Sequence, residues 1–363
     1  MGWLGNGFDA AQQWLFESLL QPVMFAIGLG NQLENGYEAA GWVLVGLLQL
    51  LVLLAVIGPL QRWRPVEAVT DRATVRVDVL YTLIHRLGLF RLVLFFTLTP
   101  LLDDLLGALR VAGLPTLHLD DLWPGVTDLP LVSLILYLVV FDFIDYWIHR
   151  GQHQCEWWWR LHALHHAQRQ MTMWSDNRNH LLDDLIRDVV IVCVAQLIGV
   201  APGQFVAIVA FTQLSESFQH ANLRLSFGRW GERLWVSPRF HRLHHSIGMG
   251  HESSRKPGPT AGRAVGTALG AQLVPGGSAS AASGLSGTEG RGPLPLPRAG
   301  NVRLGGHNFG VLLPWWDMLF GTANFELRYD PTGVRDQVEQ GRDYGRGFWA
   351  QQWLGVKRLF GRA

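Results

Sequence analysis

An uncharged run of twenty residues at positions 41–60 constrains the fold of this 363-residue chain more than any other feature. A helix needs about twenty consecutive apolar residues to cross the ~30 Å hydrocarbon core of a membrane. The composition agrees, because only 16% of the residues are charged, against roughly 25% in an average soluble domain. We therefore predict an all-α, polytopic membrane protein.

Three further segments extend this prediction. Residues 79–102 are a second predicted span, although their first half carries basic residues that belong near the headgroups. A third span starts at residue 129 and becomes polar toward His149. Residues 189–215 are uncharged, but Pro202 and its neighbours interrupt them, and such a break either kinks one span or turns a hairpin. Arginines lie on both sides of this segment and favour the hairpin. The predicted architecture is therefore about three spanning helices plus a helical hairpin.

The distribution of basic residues predicts the orientation in the membrane. No Lys or Arg precedes residue 41, whereas arginines follow the first span, the third span and the hairpin. By the positive-inside rule, the N-terminus lies outside and the region after His149 lies in the cytoplasm. All but two of the thirty basic residues are Arg, which indicates a bacterial source and hence the cytoplasmic membrane. A eukaryotic source would instead place the protein in the endoplasmic reticulum. A net charge of +1 excludes the basic field typical of a nucleic-acid-binding protein.

Composition and motifs divide the chain into five parts. Residues 1–128 form an N-terminal membrane region, and residues 129–252 hold most of the clustered histidines. Residues 253–300 are rich in Gly, Ala, Ser and Pro, so we predict a disordered, low-complexity insert. A late motif at 301–325 and a basic, aromatic tail at 326–363 complete the chain.

Histidine supplies the candidate metal ligands, because two cysteines are too few for a thiolate cluster. His149 and His153 are four residues apart and share one face of a helix. The sequence H-x-x-H-H occurs at 162–166 and again at 241–245. This number of histidines exceeds one tetrahedral site and suits two adjacent ions. The candidate ligands are His149, His153, His162, His165, His166, His220, His241, His244 and His245.

Four other residues are candidates for supporting roles. His180, in the sequence Arg178-Asn179-His180, and His307 are further single candidate ligands, and ordinary polar roles are the alternative for both. Asp142 and Asp145 lie on the same helical stripe as His149. We expect their carboxylates to accept the second N–H of ligand imidazoles and so orient the rings. The alternative for both is a helix-end charge in the headgroup layer.

The order of these motifs resembles the fatty acid hydroxylase and sterol desaturase superfamily. The resemblance rests on residues 145–153, the two H-x-x-H-H sequences, the sequence His307-Asn308-Phe309-Gly310, and residues 316–322. It implies a non-haem di-iron site that faces the cytoplasm. Members of the family use O2 and electrons from a separate donor, such as a b-type cytochrome, a ferredoxin or a reductase, to hydroxylate, desaturate or demethylate lipid C–H bonds.

The family's ligands can be carried over by position. They fall on the eight histidines of the spaced clusters, with His220 as an addition. The long insert between His245 and His307 departs from the family pattern. If the insert displaced the late motif, that motif would no longer close over the site.

Functions of different classes remain open from the sequence. A di-iron lipid hydroxylase is the leading hypothesis, and a desaturase with the same ligands is the near alternative. A zinc-dependent membrane hydrolase uses three protein ligands, but the chain has no H-E-x-x-H sequence and far more clustered histidines. Zinc is also expected as a substitute for iron. A zinc store or transporter would need histidines along a path through the bilayer, whereas these gather on one side.

Overall fold

The computed structural model describes residues 2–247 and 306–362. Within these residues the regular structure is helical, apart from an isolated antiparallel bridge between Ser246 and Thr332. The predicted insert at 253–300 lies outside the described residues. The all-α prediction agrees with the part of the chain that is described.

The helices of the described residues are numbered here in chain order. They are α1 (Gly2–Leu15), α2 (Gln21–Ala26), α3 (Leu33–Val52), α4 (Gly58–Trp63), α5 (Arg72–Arg86), α6 (Leu89–Val111), α7 (Pro130–Gln154), α8 (Glu156–His166), α9 (Leu181–Leu197), α10 (Pro202–His220), α11 (Gly228–Gly231), α12 (Pro238–His244), α13 (Trp315–Leu319), α14 (Arg335–Glu339) and α15 (Phe348–Leu359). A π-helical turn at Leu53–Ile57 joins α3 to α4 without a break.

Two helical runs are long and apolar enough to cross a membrane. They are Gly30–Trp63, with a mean hydropathy of 2.6 over its most apolar window, and Pro130–Gln154, with 2.0. The first contains the predicted span at 41–60, and the second is the predicted third span. The total number of spans and the side of the membrane that each end faces stay predictions.

The second predicted span, at 79–102, is not one helix. α5 ends at Arg86, Gly88 has a left-handed backbone with φ of 70°, and α6 begins at Leu89. The guanidinium of Arg86 is 1% exposed and pairs with Asp176 at 3.0 Å. The end of α5 is therefore held inside the protein by a buried ion pair. The prediction of a continuous helix across 79–102 is wrong, because the apolar composition of a segment does not reveal a turn within it.

The interruption near residue 202 turns the chain. α9 ends at Leu197, Gly199 has φ of 64°, and α10 begins with Pro202 in its first turn, where a missing N–H costs no helical hydrogen bond. Asp183 at the start of α9 and His220 at the end of α10 both lie at the histidine cluster. The two helices thus run out and back, as the predicted hairpin requires, and its place in the membrane stays a prediction.

Gly46 is the point of closest approach between α3 and the end of α5. A Cβ atom at Gly46 would lie 1.5 Å from the carbonyl oxygen of Arg86. No rotamer change can relieve an overlap with a backbone atom. Only glycine lets the two helices pack at this distance.

We predict that Gly46→Ala destabilises the protein by about 1–3 kcal/mol, because the added methyl group forces the two backbones apart. The measurement is the apparent melting temperature of the detergent-solubilised protein by circular dichroism. Gly107→Ala in α6 is the matched control, since a Cβ there meets nothing within 4 Å, and its melting temperature should stay equal or rise. Equal melting temperatures for Gly46→Ala and the unmodified protein would contradict the close approach.

Candidate metal centre

Nine histidines converge where the ends of α7, α8, α10 and α12 meet. Each is at most 8% exposed. Their ring nitrogens form two groups of four in which the ligand atoms lie within 4.8 Å of one another. The first group is His149, His153, His162 and His166, the second is His165, His220, His241 and His245, and His244 lies with His166 and His245 in a third group that joins them.

Local helix geometry explains how so few elements present so many rings. α7 carries His149 and His153 on successive turns, and the extended residue Cys155 ends it and starts α8. The first H-x-x-H-H sequence lies on α8, and the second lies on α12 and the residue after it. The hydroxyl of Ser237 caps α12 by accepting the backbone N–H of Phe240 at 3.1 Å. Each motif therefore presents ring nitrogens from one face of a helix.

The second group has the spacing of a ligand set. The Nε2 atom of His220 lies 3.1 Å from Nε2 of His165 and 3.0 Å from Nε2 of His241, and Nε2 of His241 lies 3.1 Å from Nε2 of His245. Two nitrogens bound tetrahedrally to one ion at about 2.0 Å are about 3.3 Å apart. The four Nε2 atoms therefore fit around a single metal ion.

Backbone carbonyl groups orient several rings. Nδ1 of His149 donates to the carbonyl oxygen of Phe309 at 2.9 Å, and Nδ1 of His244 donates to that of His307 at 2.7 Å. Nδ1 of His220 donates to the carbonyl oxygen of Glu216 at 2.8 Å. Because a carbonyl oxygen only accepts, Nδ1 carries the proton and Nε2 carries the lone pair that a metal needs.

A carboxylate orients the ring of His162. Its Nδ1 lies 3.0 Å from Oδ2 of Asp183, and its buried Nε2 has no hydrogen-bond partner among the described residues. Oδ1 of Asp183 also accepts from Gln152 at 2.8 Å and from the indole of Trp158 at 2.7 Å. Asp183 is thus fixed on three sides and directs Nε2 of His162 into the first group.

Burial keeps the rings in the form that binds metals. Desolvation lowers the pKa of His165 and of His241 well below the usual value, and neighbouring histidines lower both further. Both rings are therefore neutral at pH 7, and no proton must leave before a metal ion binds. Imidazole suits iron and zinc alike, so the donor set fits a pair of such ions.

The predicted roles of Asp142 and Asp145 are not what the structure shows. Asp142 accepts the backbone N–H groups of Leu312 at 2.7 Å and Leu313 at 3.2 Å, and Asp145 pairs with Arg187 at 3.0 Å. Among the described contacts, neither carboxylate reaches a histidine ring. The expectation that they orient ligand rings is wrong, because the backbone of the late motif engages Asp142 and Arg187 of α9 engages Asp145.

His180 and His307 lie outside both groups of four. Nδ1 of His180 accepts the backbone N–H of Leu182 at 3.2 Å, and its Nε2 donates to the carbonyl oxygen of Gln352 at 2.9 Å. Both ring nitrogens of His180 are thus engaged, and the residue caps α9 instead of facing the cluster. His307 contributes its backbone carbonyl group, which holds the ring of His244.

The late motif closes over the cluster despite the insert. Asn308 has φ of 59°, a left-handed conformation that asparagine tolerates, and its Nδ2 donates to the carbonyl oxygen of Phe240 at 3.0 Å. Asp317 accepts the backbone N–H groups of Phe309 at 2.9 Å and Gly310 at 2.7 Å. The described residues from 306 onward therefore lie against the second H-x-x-H-H motif.

Sequence reasoning missed Asp183. Asp183 lies near the start of an uncharged stretch, and Asp142 and Asp145 lie at the end of another. In sequence, all three are therefore aspartates at the end of an apolar segment. The packing of α9 against α8 decides which of them meets a ring.

Comparison with known proteins gives two kinds of match. The family model described as Fatty acid hydroxylase matches residues 134–254, which contain all nine histidines of the cluster. Ornithine lipid hydroxylase OlsE of Rhizobium tropici is 26% identical over 236 residues, which are 63% of this chain and 67% of that protein. Delta(7)-sterol 5(6)-desaturase ERG3B of Gibberella zeae is 28% identical over 157 residues, 42% of this chain.

The aligned part covers 47% of the sterol desaturase, so the chain matches less than half of that relative's length. No solved structure matches the chain significantly. The motifs, the family model over residues 134–254 and the two relatives support membership of the fatty acid hydroxylase and sterol desaturase superfamily.

Proposed function

We propose that this protein is a membrane-bound, O2-dependent lipid hydroxylase with two iron ions. The observation that carries the proposal is the pair of buried histidine groups at the polar end of an apolar helix. One group of four imidazoles would hold each ion, and His244 would serve the side where the groups meet. Both relatives are named for lipid oxidation, which supports a lipid substrate.

Bound iron would supply the electrons that activate O2 for the oxidation of an unactivated C–H bond. The chain's own contribution is position and exclusion of water. Asp183 and the carbonyl groups of Glu216, His307 and Phe309 fix the rings before metal binds. The near-complete burial of the rings keeps water away from the reacting groups.

The remaining partners follow from the same proposal. A separate electron donor, such as a b-type cytochrome, a ferredoxin or a reductase, would reach the cluster from the cytoplasmic side. The arginine distribution supports that orientation, and a bacterial cytoplasmic membrane would be the location.

A lipid desaturase is the second candidate, and the similarity to a sterol desaturase favours it. Hydroxylation and desaturation share the first hydrogen abstraction, so the same ligand set serves both. A zinc hydrolase fits the cluster less well, because catalytic zinc sites use three protein ligands and an open position, whereas each group here offers four histidines.

We predict about two iron ions per chain in protein purified anaerobically from iron-fed, zinc-depleted cells. The double variant His165→Ala with His244→Ala removes a donor from the second group and one from the junction, and we expect it to lose most of the iron. Elemental analysis by mass spectrometry measures both. His118→Ala is the control, because His118 is an exposed histidine outside the cluster, and its iron content should equal that of the unmodified protein.

Zinc alone in every preparation, unchanged by iron feeding, would overturn the oxidase. It would move the assignment to a zinc hydrolase or a zinc-binding protein.

We predict that Asp183→Asn weakens iron binding by roughly 10–100-fold, because the ring of His162 loses its anionic partner. Competition with a chelator of known affinity measures the change. Asp184→Asn is the matched control on the same helical turn, since its carboxylate lies 3.4 Å from His85 and belongs to none of the three histidine groups. Equal iron affinities for both variants would remove the proposed role of Asp183.

Labelled oxygen separates the two candidate reactions. Cells that express the protein under 18O2 should accumulate a lipid that contains one labelled oxygen atom, and the double histidine variant should not. A lipid that has lost two hydrogens and carries no label would identify a desaturase instead.

A further inference from the structure

The burial of the histidine cluster raises the question of how electrons reach it. Each of its nine rings is at most 8% exposed, so a separate donor protein cannot touch a ligand ring. Electrons from such a donor must therefore cross part of the protein. Tunnelling is fastest where aromatic rings and hydrogen bonds leave few gaps between nonbonded atoms.

A pair of indoles at the start of α8 begins a path from the surface. Trp157 keeps 48% of its surface exposed. Its ring stacks on that of Trp158, with the ring centroids 5.3 Å apart and an angle of 7° between the planes. One indole of this pair thus lies at the surface, and the other is half-buried. Indole is also among the side chains that lose an electron most easily.

Two hydrogen bonds continue the path from the inner indole to a ligand ring. The indole N–H of Trp158 donates to Oδ1 of Asp183 at 2.7 Å. Oδ2 of the same carboxylate lies 3.0 Å from Nδ1 of His162, which belongs to the first histidine group. Asp183 is 1% exposed. Direct contacts therefore join an exposed indole to a candidate metal ligand.

Packing on two sides holds the inner indole in place. A Cβ atom at Gly151 of α7 would lie 3.2 Å from the ring of Trp158, so a larger residue there would crowd the indole. On the other side, Asp183 of α9 accepts the indole N–H and is itself held by Gln152 at 2.8 Å. The same indole position thus depends on α7 and on α9.

A second aromatic route from the surface is less direct. Trp147 of α7 is 42% exposed, and ring contacts connect it to the cluster at centroid distances of 5.6, 6.3 and 5.8 Å. These contacts run through Tyr146 and Phe309 to His149, and each is edge-on. Trp147 also lies seven residues before the end of α7, within an apolar helix, whereas Trp157 follows that end.

We propose that Trp157, Trp158 and Asp183 form an electron relay between a separate donor and the metal centre. The inference rests on the proposed function, because only a redox-active metal needs a donor. Each electron leaves a reduced iron–sulfur or haem protein at Trp157, crosses the relay and the ring of His162, and reduces one ferric ion to the ferrous state. The donor is oxidised by one electron, and no proton or covalent bond has to move.

Anaerobic stopped-flow reduction of the ferric, full-length protein tests the relay without O2 or lipid substrate. The probe is the methyl viologen radical cation, a one-electron reductant that reaches any exposed surface. We expect Trp157→Phe and Trp158→Phe each to slow reduction of the iron by about tenfold, the lower end of the effects seen for outer partners of metal ligands. Trp147→Phe is the matched control, since a similarly exposed indole is removed, and its rate should be unchanged.

Two outcomes of this experiment would overturn the relay. Equal reduction rates in both relay variants and the unmodified protein would exclude it. Slower reduction in Trp147→Phe alone would assign electron entry to the route through Tyr146 instead.

A purely structural role of the indoles would change other quantities. We expect iron content, melting temperature and the midpoint potential of the iron, measured by redox titration, to stay unchanged in Trp157→Phe. The slower reduction then reflects the path and not the driving force. Slower reduction that appears only together with lost iron or a shifted potential in both variants would overturn the relay.

A photochemical measurement on zinc-loaded protein tests the first step without iron. Cys155 is exposed and lies two residues before Trp157, so a ruthenium photo-oxidant can be attached there in a Cys193→Ala background. After a flash with an external electron acceptor, the oxidised ruthenium should regain its electron from the indole pair. Transient absorption should then show a tryptophan radical, which we expect to be lost when Trp157 and Trp158 are both replaced by Phe. An unchanged radical yield in that double variant would overturn the relay.

The metal content of these preparations separates the relay from the proposed function. Iron that is reduced at equal rates in all variants would overturn the relay and leave the oxidase standing. Zinc alone in every preparation would overturn the oxidase and the relay with it, because zinc takes up no electron.

Discussion

Hydrogen bonds that fix Nδ1 of the buried imidazoles are the interaction on which the site depends. A buried N–H without a partner costs about 1–3 kcal/mol, so each ring must find an acceptor as it leaves water. The acceptors come from separate parts of the chain: Asp183 on α9, Glu216 on α10, and the backbone at His307 and Phe309. The ligand geometry is therefore complete only when all these segments have packed.

The late motif is distant in sequence from the ligand helices, but it helps to fix the same rings. Asp142 on α7 holds the backbone at Leu312, and Asp317 holds the backbone at Phe309 and Gly310. A Cβ at Gly310 would lie 2.7 Å from the carbonyl oxygen of Leu313, so the turn needs glycine there. Two carboxylates that touch no ring thus determine where carbonyl acceptors meet the rings.

The sequence predicts those parts of the site that depend on residue spacing within one helix, and it does not predict those that depend on packing between helices. The histidines were predictable because spacings of three and four residues place ring nitrogens on one helix face whatever the tertiary fold. The partner of His162 was not, since Asp142, Asp145 and Asp183 share one sequence signal and only helix packing separates them. The break at Gly88 was missed for a similar reason, because mean hydropathy averages over a single left-handed residue.

Register along α9 relates the ring of His162 to an ion pair one turn away. The same face of this helix presents Asp183 to that ring and Arg187 to Asp145 of α7, which itself lies one turn from His149. The ion pair therefore holds α7 and α9 together at the level at which each helix presents a residue to the histidine cluster. A register shift of α9 would break the contact with Asp145 and the contact with His162 together.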